Sequence, residues 1–222
     1  MRQKIKALVF DMDGLLFDSE RVVQKSWKKA GEKLGYPGIG QHIYNTLGFN
    51  VVRRTEYFRQ VFGETFPMEE FNEMTRKIFQ EIKEKEGVPL KPGVKEILDF
   101  GKDRGWRMAV ATSSRREYSL ELLKTGGILH YFDTVLCGDM VTKAKPDPEI
   151  YEKACSLLHV LPEEAVALED SPNGIRAAFA AGMCPVMVPD LVEPNEEIKK
   201  LYQIKVKTLL EAKEELKKLA DT

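Results

Sequence analysis

Two aspartates two residues apart, Asp11 and Asp13, follow a largely apolar run at residues 5–10 and precede Gly14. Such a run predicts a buried strand, and because strand side chains alternate between faces, the two carboxylates should point the same way. Open parallel α/β sheets bind ligands at the carboxyl ends of their strands. Like charges this close repel by roughly 3 kcal/mol at an effective dielectric near 20. We therefore expect the two carboxylates to bind a cation or to share a proton.

Three further polar clusters follow later apolar runs of the chain. A hydroxyl run before a predicted helix offers an anion cradle together with the first N–H groups of that helix. A lysine adds positive charge beside the anion, and a second acid pair offers hard oxygen ligands of the kind that Mg2+ takes. Together they indicate a phosphoryl-transfer centre. The clusters are Thr112, Ser113 and Ser114, then Lys143 or Lys145, then Glu169 and Asp170.

The elements that must position these groups follow from a change of hydrophobic period. Residues 18–88 repeat apolar side chains at helical spacing, whereas residues 89–208 alternate short β-rich runs with amphipathic segments. This alternation predicts an α/β fold, a doubly wound parallel sheet of Rossmann-like type. The predicted strands are Met108–Ala111, Thr134–Cys137, Ala165–Leu168 and Pro185–Val188, the predicted helices lie near 93–104, 115–125, 148–158 and 173–181, and Thr208 to Glu211 is a capping box that opens a final helix.

The helical segment divides the chain into two predicted domains. Residues 1–17 and 89–222 should form the α/β catalytic core, and residues 18–88 an inserted α-helical cap subdomain, because an insert of about 70 residues is far longer than an ordinary α/β connection. Since the insert follows the first acid pair directly, we expect it to act as a lid that selects substrate and excludes water.

The bulk composition limits the range of partners. The 34 Lys and Arg nearly balance the 35 Asp and Glu, which argues against a nucleic-acid or membrane-surface partner. The three cysteines form no C-x-x-C pair, which fits reduced thiols. Without a signal peptide or an apolar span of about 20 residues, we expect a cytoplasmic protein, monomeric by default, that acts on a small molecule.

Each cluster taken alone has a simpler interpretation as a turn, a helix cap or a solvated lysine. Their order favours a single site, because all four follow successive predicted strands as one crevice requires. Competing motifs are missing: the sequence has no P-loop, no strand-linked G-x-G-x-x-G and no EF-hand loop. No cysteine is followed six residues later by arginine, which disfavours a cysteine phosphatase, and none of the three histidines adjoins a strand-end acid.

At these four motifs the chain resembles the haloacid dehalogenase-like superfamily of phosphohydrolases, in the branch with a helical cap inserted after the first strand. Within that branch it is most similar to sugar-phosphate and nucleoside-monophosphate phosphatases and to β-phosphoglucomutase. An acid at position 13 argues against a true dehalogenase. The matching stretches are Asp11 to Leu16, Thr112, Lys145 to Pro148 and Glu169 to Gly174.

The resemblance implies a role for each of these positions. Asp11 is the expected nucleophile that becomes an aspartyl phosphate. Asp13 is the expected general acid that protonates the leaving alkoxide and the general base that then takes a proton from water. The resemblance implies Mg2+ as cofactor and a small phosphorylated metabolite as substrate, and the lysine motif favours Lys145 over Lys143. The expected Mg2+ ligands are Asp11, the Asp13 carbonyl and Asp170, with Glu169 directly or through water, and the expected phosphoryl-binding groups are Thr112, Ser113, Ser114 and Lys145.

Two other functions share these core residues. In the mutase pattern a cap loop has Lys before a Gly and Arg three residues after that Gly. Here Leu47 precedes Gly48 and Val51 lies three residues after it, which favours hydrolysis. Gly48 and Arg53 are the expected cap contacts to substrate, although Arg53 and Arg54 also fit a solvated helix face. A phosphoacceptor receiver domain is disfavoured by the helical insert and by two acids on one strand.

Overall fold

A computed structural model describes residues 5–46 and 51–221. Its central element is a six-stranded sheet in the order β3-β2-β1-β4-β5-β6, in which every pairing is parallel. The chain therefore has the α/β class and the doubly wound parallel sheet that the sequence predicts. The strands are β1 Ala7–Phe10, β2 Arg107–Ala111, β3 Thr134–Leu136, β4 Ala165–Glu169, β5 Cys184–Met187 and β6 Ile204–Lys205.

The first strand lies in the middle of the sheet, and its register sets the position of the acid pair. Phe10 is paired with Val110 on one side and with Leu168 on the other. The residue after Phe10 therefore lies level with the ends of β2 and β4. The chain continues from β1 to β2 and β3 on one side and then crosses to β4 on the other side of β1. This edge is therefore a topological switch point, where α/β sheets form their binding crevice.

Helices cover both faces of the sheet. Ala7 and Val9 of β1 point to the face covered by the helices Glu149–Leu158 and Pro172–Ala180, where they share a core with Ala154 and Ala177. The opposite face carries Leu8, against which the helix Val94–Asp103 packs closely at Gly101.

The helices of the two units together are α1 Ser19–Leu34, α2 Ile43–Thr46, α3 Val51–Phe62, α4 Met68–Glu86, α5 Val94–Asp103, α6 Arg116–Thr125, α7 Glu149–Leu158, α8 Pro172–Ala180 and α9 Leu209–Ala220.

The chain divides into two compact units, one with the residues up to Asp18 and from Pro89 on, the other with Ser19–Val88. The second unit contains α1 to α4 around an aromatic core. The Trp27 ring centroid lies 5.3 Å from that of Phe58 and 5.8 Å from that of Phe71, both in edge-on geometry. Edge-to-face packing of this kind stabilises aromatic clusters beyond the area they bury. This unit therefore has its own hydrophobic core.

Two local features differ from the sequence-based predictions. The edge strand β6 is not among the predicted strands, because two residues are too few to show a period. The capping box before α9 forms only in part: the Thr208 hydroxyl accepts from the Glu211 N–H at 3.2 Å, but the Glu211 carboxylate accepts from the backbone N–H of Lys207.

No helix among the described residues is both long and apolar enough to cross a bilayer.

Candidate active site

Asp11 lies at the end of β1 and forms an ion pair at the centre of the sheet edge. Its side chain is largely buried, and the Lys145 ammonium donates to its Oδ1 at 2.7 Å. The same ammonium donates to Glu169 Oε1 at 2.5 Å and to the Ala111 carbonyl at 2.9 Å. Lys143 is instead 72% exposed and faces Asp147. Of the two lysines left open by residue chemistry, the structure brings Lys145 to Asp11.

Burial and charge shift the pKa values of this pair. Burial raises the pKa of Asp11 to about 7; Lys145 works against that rise, while Glu169 and Asp13 add to it. Burial alone would lower the pKa of Lys145, but the carboxylates of Asp11 and Glu169 outweigh it and raise that pKa well above its usual value. The lysine is therefore a fixed positive charge, and a further cation near Asp11 would favour the ionised form of this carboxyl at neutral pH.

Asp13 is held by two hydroxyl groups from the segment after β2. The Ser114 hydroxyl donates to Asp13 Oδ2 at 2.6 Å, and the Tyr118 hydroxyl donates to Oδ1 at 3.3 Å. These bonds orient the carboxylate beside Asp11. The Ser114 hydroxyl, which the sequence assigns to substrate binding, thus donates to Asp13, and its role toward the substrate stays a prediction.

The loop between β2 and α6 contains the residues of the predicted anion cradle. Thr112 is buried, and its hydroxyl accepts from the backbone N–H of Ser114 at 3.1 Å, while Ser113 is exposed. The Arg116 N–H at the start of the helix donates to both carboxylate oxygens of Asp139 at 3.2 Å. That donor is therefore already paired, and the predicted anion cradle stays a prediction.

Three carboxylates at this edge lie close enough to hold one metal ion. Asp11, Glu169 and Asp170 each offer an oxygen within 4.8 Å of the others, which fits a hard divalent cation such as Mg2+. The predicted metal roles of these three residues and of the Asp13 carbonyl stay predictions.

The bonds of Glu169 distinguish it from the other two carboxylates. Its Oε1 accepts from Lys145 and, at 2.7 Å, from the hydroxyl of Tyr151; its Oε2 accepts from the backbone N–H and the hydroxyl of Ser171. Four donors match the four acceptor positions of a carboxylate. The oxygens of Glu169 are therefore already satisfied by donors of the protein, and its predicted contact to the metal, direct or through water, stays a prediction.

Sequence reasoning missed two tyrosines of the site. Tyr151 is fully buried, bonds to Glu169, and carries the Lys145 ammonium 4.9 Å from its ring centroid. A tyrosine on the apolar face of a helix that follows the lysine motif is a signal that could have found it, because a buried hydroxyl needs a partner. Tyr118 is only partly buried, and its sequence gives no comparable signal.

Gly14 allows Asp170 to approach the first strand. The glycine has φ +81°, and a Cβ built on it would lie 2.3 Å from Asp170 Oδ2, closer than any real contact. Gly14→Ala should therefore displace Asp170 and lower divalent-metal affinity and turnover at least about tenfold, in the range of changes that misplace groups around a metal. Isothermal titration with Mn2+ and an assay of phosphate release would measure both.

Gly35→Ala is the matched control for this prediction. Gly35 has the same φ of +81°, yet no atom lies within 4 Å of its built Cβ, so the backbone strain is shared and the clash is absent. Equal losses of metal affinity in the two variants would contradict a specific role of Gly14 in placing Asp170.

The structure describes only part of the predicted cap contacts to substrate. Gly48 lies outside the described residues. Arg53 is exposed on α3, while the guanidinium of Arg54 lies 5.8 Å from the centroid of the Trp27 ring and burial lowers its pKa. Arg54 thus packs within the helical unit. The roles of Gly48 and Arg53 in substrate binding stay predictions.

The sequence of this chain is similar to those of known phosphatases. The sequence model of the haloacid dehalogenase-like hydrolases matches residues 8–188. YhcW of Bacillus subtilis, provisionally named a phosphatase, is 36% identical over 192 residues, which span 85% of each chain. The phosphorylated carbohydrates phosphatase of Thermotoga maritima is 32% identical over 183 residues, which span 81% of this chain and 82% of the relative.

A solved structure shows the same fold over nearly the whole chain. It is a protein of Thermotoga maritima, provisionally described as a β-phosphoglucomutase, with a TM-score of 0.81 and 27% identity, and the alignment covers 96% of this chain and 99% of that one. Because the family match covers most of its length, the chain belongs to the haloacid dehalogenase-like hydrolase family and is a phosphatase of that family.

Proposed function

We propose that this phosphatase requires Mg2+ and hydrolyses a small phosphorylated sugar through an aspartyl phosphate on Asp11, with nucleoside monophosphates as the second substrate class. The observation that carries the proposal is the position of Asp11: it lies buried at the central strand end, paired with Lys145 and two residues from Asp13. A sugar phosphate is the substrate class named for the Thermotoga relative.

The first half of the reaction uses both aspartates. A carboxylate oxygen of Asp11 forms a bond to phosphorus as the bond between phosphorus and the ester oxygen breaks. Asp13 gives its proton to the departing alkoxide, so the sugar leaves as an alcohol. Lys145 and the Thr112 hydroxyl would bind phosphoryl oxygens. Because the Lys145 ammonium contacts Asp11, its charge would offset the repulsion between Asp11 and the incoming anion.

The second half regenerates the enzyme. Asp13, now ionised, takes a proton from a water molecule whose oxygen attacks phosphorus, and the bond to Asp11 breaks to release inorganic phosphate. Ser114 and Tyr118 hold Asp13 in place for both proton transfers. Asp11 and Asp170 would hold Mg2+, which when bound supplies positive charge between the carboxylates and the phosphoryl group.

Metal binding should depend on pH because protons compete for Asp11. With a pKa raised to about 7, Asp11 is largely protonated below neutral pH and ionised above it. The ionised form has the higher affinity for a cation, so Mg2+ should raise the melting temperature more at about pH 8 than at about pH 5.5. Differential scanning fluorimetry at matched ionic strength measures this difference.

The Asp11→Asn variant is the control for this pH effect. Asparagine does not titrate, so any remaining stabilisation by Mg2+ should vary much less with pH. A Mg2+ effect on the wild-type chain that is equal at both pH values, or greater in acid, would contradict a titrating carboxylate at the cation site.

A turnover assay tests the proposed function against the two other classes. Purified chain with Mg2+ and a panel of hexose phosphates and nucleoside monophosphates should release phosphate repeatedly, and chelation with EDTA should stop it. Conversion of β-glucose 1-phosphate to glucose 6-phosphate without phosphate release would instead identify a mutase. Stoichiometric retention of phosphate without turnover would identify a phosphoacceptor module.

A further inference from the structure

A buried ion pair lies beside the acid cluster, and the reaction described above does not use it. Asp190 follows β5, and its side chain is 3% exposed. Its Oδ1 accepts from the Lys91 ammonium at 2.5 Å, and that ammonium also lies 3.8 Å from Asp18 Oδ1. The backbone N–H of Lys91 donates to the carbonyl of Leu16, which fixes the lysine next to the segment that follows β1.

Within the part of the chain that the structure describes, the second carboxylate oxygen of Asp190 is buried without a hydrogen-bond partner. Among the described residues, no hydrogen-bond donor reaches Asp190 Oδ2. A buried anionic oxygen that lacks a donor is destabilising, so such groups are rare unless a bound molecule satisfies them. Since the described residues pair only one of the two oxygens, the other is available to a ligand.

This unpaired oxygen faces the acid cluster across Gly14. The built Cβ position of Gly14 lies 3.4 Å from Asp190 Oδ2 and 2.3 Å from Asp170 Oδ2. The two oxygens therefore flank the same point, and residue 14, being glycine, places no side chain there. Asp170 belongs to the three carboxylates that can share a cation, whereas Asp190 is not in that group. Contact with the cation through a water molecule fits this geometry.

We propose that Asp190 is a positioning residue of the cation site, and that its Oδ2 accepts a hydrogen bond from a water ligand of the divalent ion held by Asp11 and Asp170. The inference rests on the metal requirement of the proposed function. Mg2+ keeps several of its waters in protein sites, and acceptors behind the ligands orient them. Lys91 pairs with the other oxygen of Asp190 and offsets its charge.

The test measures Mn2+ affinity rather than activity, using the full chain and three variants. Asp190→Asn should raise the Mn2+ dissociation constant about tenfold or more. Lys91→Met should leave it unchanged or lower it, because a positive charge near the cation is removed. The double variant Asp190→Asn with Lys91→Met removes the ion pair as a unit, which buried pairs often tolerate, and it covers the case in which the single Asp190 variant does not fold.

The double variant separates a water-mediated role from a purely structural one. If Asp190 acts on the cation site, the double variant binds Mn2+ about tenfold more weakly than Lys91→Met does. If Asp190 only compensates the charge of Lys91, the two bind equally, which overturns the inference and leaves the proposed function intact. No Mn2+ binding by the wild-type chain would overturn both. Electron paramagnetic resonance of free Mn2+ gives each constant, and circular dichroism checks the fold.

Discussion

Asp11→Asn should reduce phosphate release at least about 10^4-fold, because it removes the attacking carboxylate without changing its shape. The fold should survive, since burial already disfavours the charged form of Asp11 and the neutral amide relieves that penalty. Steady-state phosphate release at saturating substrate measures the first effect. Thermal melting in EDTA measures the second, and the variant should melt no lower than the wild-type chain.

Asp103→Asn is the matched control. Asp103 lies exposed at the end of α5, so the same chemical change there should leave turnover within about twofold of wild type. Residual activity of more than a few per cent in the Asp11 variant, with the control unchanged, would contradict a nucleophilic role for Asp11.

Asp13→Asn should separate the two halves of the reaction. With p-nitrophenyl phosphate the leaving group departs without a proton, so the first step needs little help from Asp13. Attack by water still needs a base, and its loss should slow the second step about 10^2- to 10^4-fold. Phosphorylated enzyme should then accumulate, and p-nitrophenol should appear as a burst of about one equivalent per chain.

The Asp11→Asn variant is the control for this burst experiment. The Asp11→Asn variant should show no burst, because it lacks the acceptor of the phosphoryl group. A slow variant at position 13 without a burst would mean that the first step is impaired, and that Asp13 is not the group that activates water.

Most of the sheet could be predicted from the sequence because buried parallel strands are short continuous apolar runs. The run Met108–Ala111 predicts β2 to within one residue, and Ala165–Leu168 predicts β4 equally well. The edge strand β6 lacked such a run. The order of strand-end polar groups also predicted which side chains share an edge, because parallel strands align their carboxyl ends.

The partners of the site residues were harder to predict because they depend on side-chain direction. The pairing of Ser114 with Asp13 and of Asp139 with the start of α6 arises from loop geometry that carries no period. Asp190 lies 20 residues beyond Asp170 and has no motif around it, so only the fold brings it beside Gly14. Residue type and order predict the main groups, while three-dimensional packing decides what orients them.

The most direct test of the central claim is to locate the phosphoryl group on the protein. Wild-type chain with Mg2+ and substrate is quenched in acid within the first turnover, the acyl phosphate is reduced with borohydride, and peptides are mapped by mass spectrometry. We expect the modified side chain to be Asp11, in amounts that fall to nothing when EDTA is present. Repeated turnover with an unmodified Asp11, or with the phosphoryl group on another residue, would contradict the account.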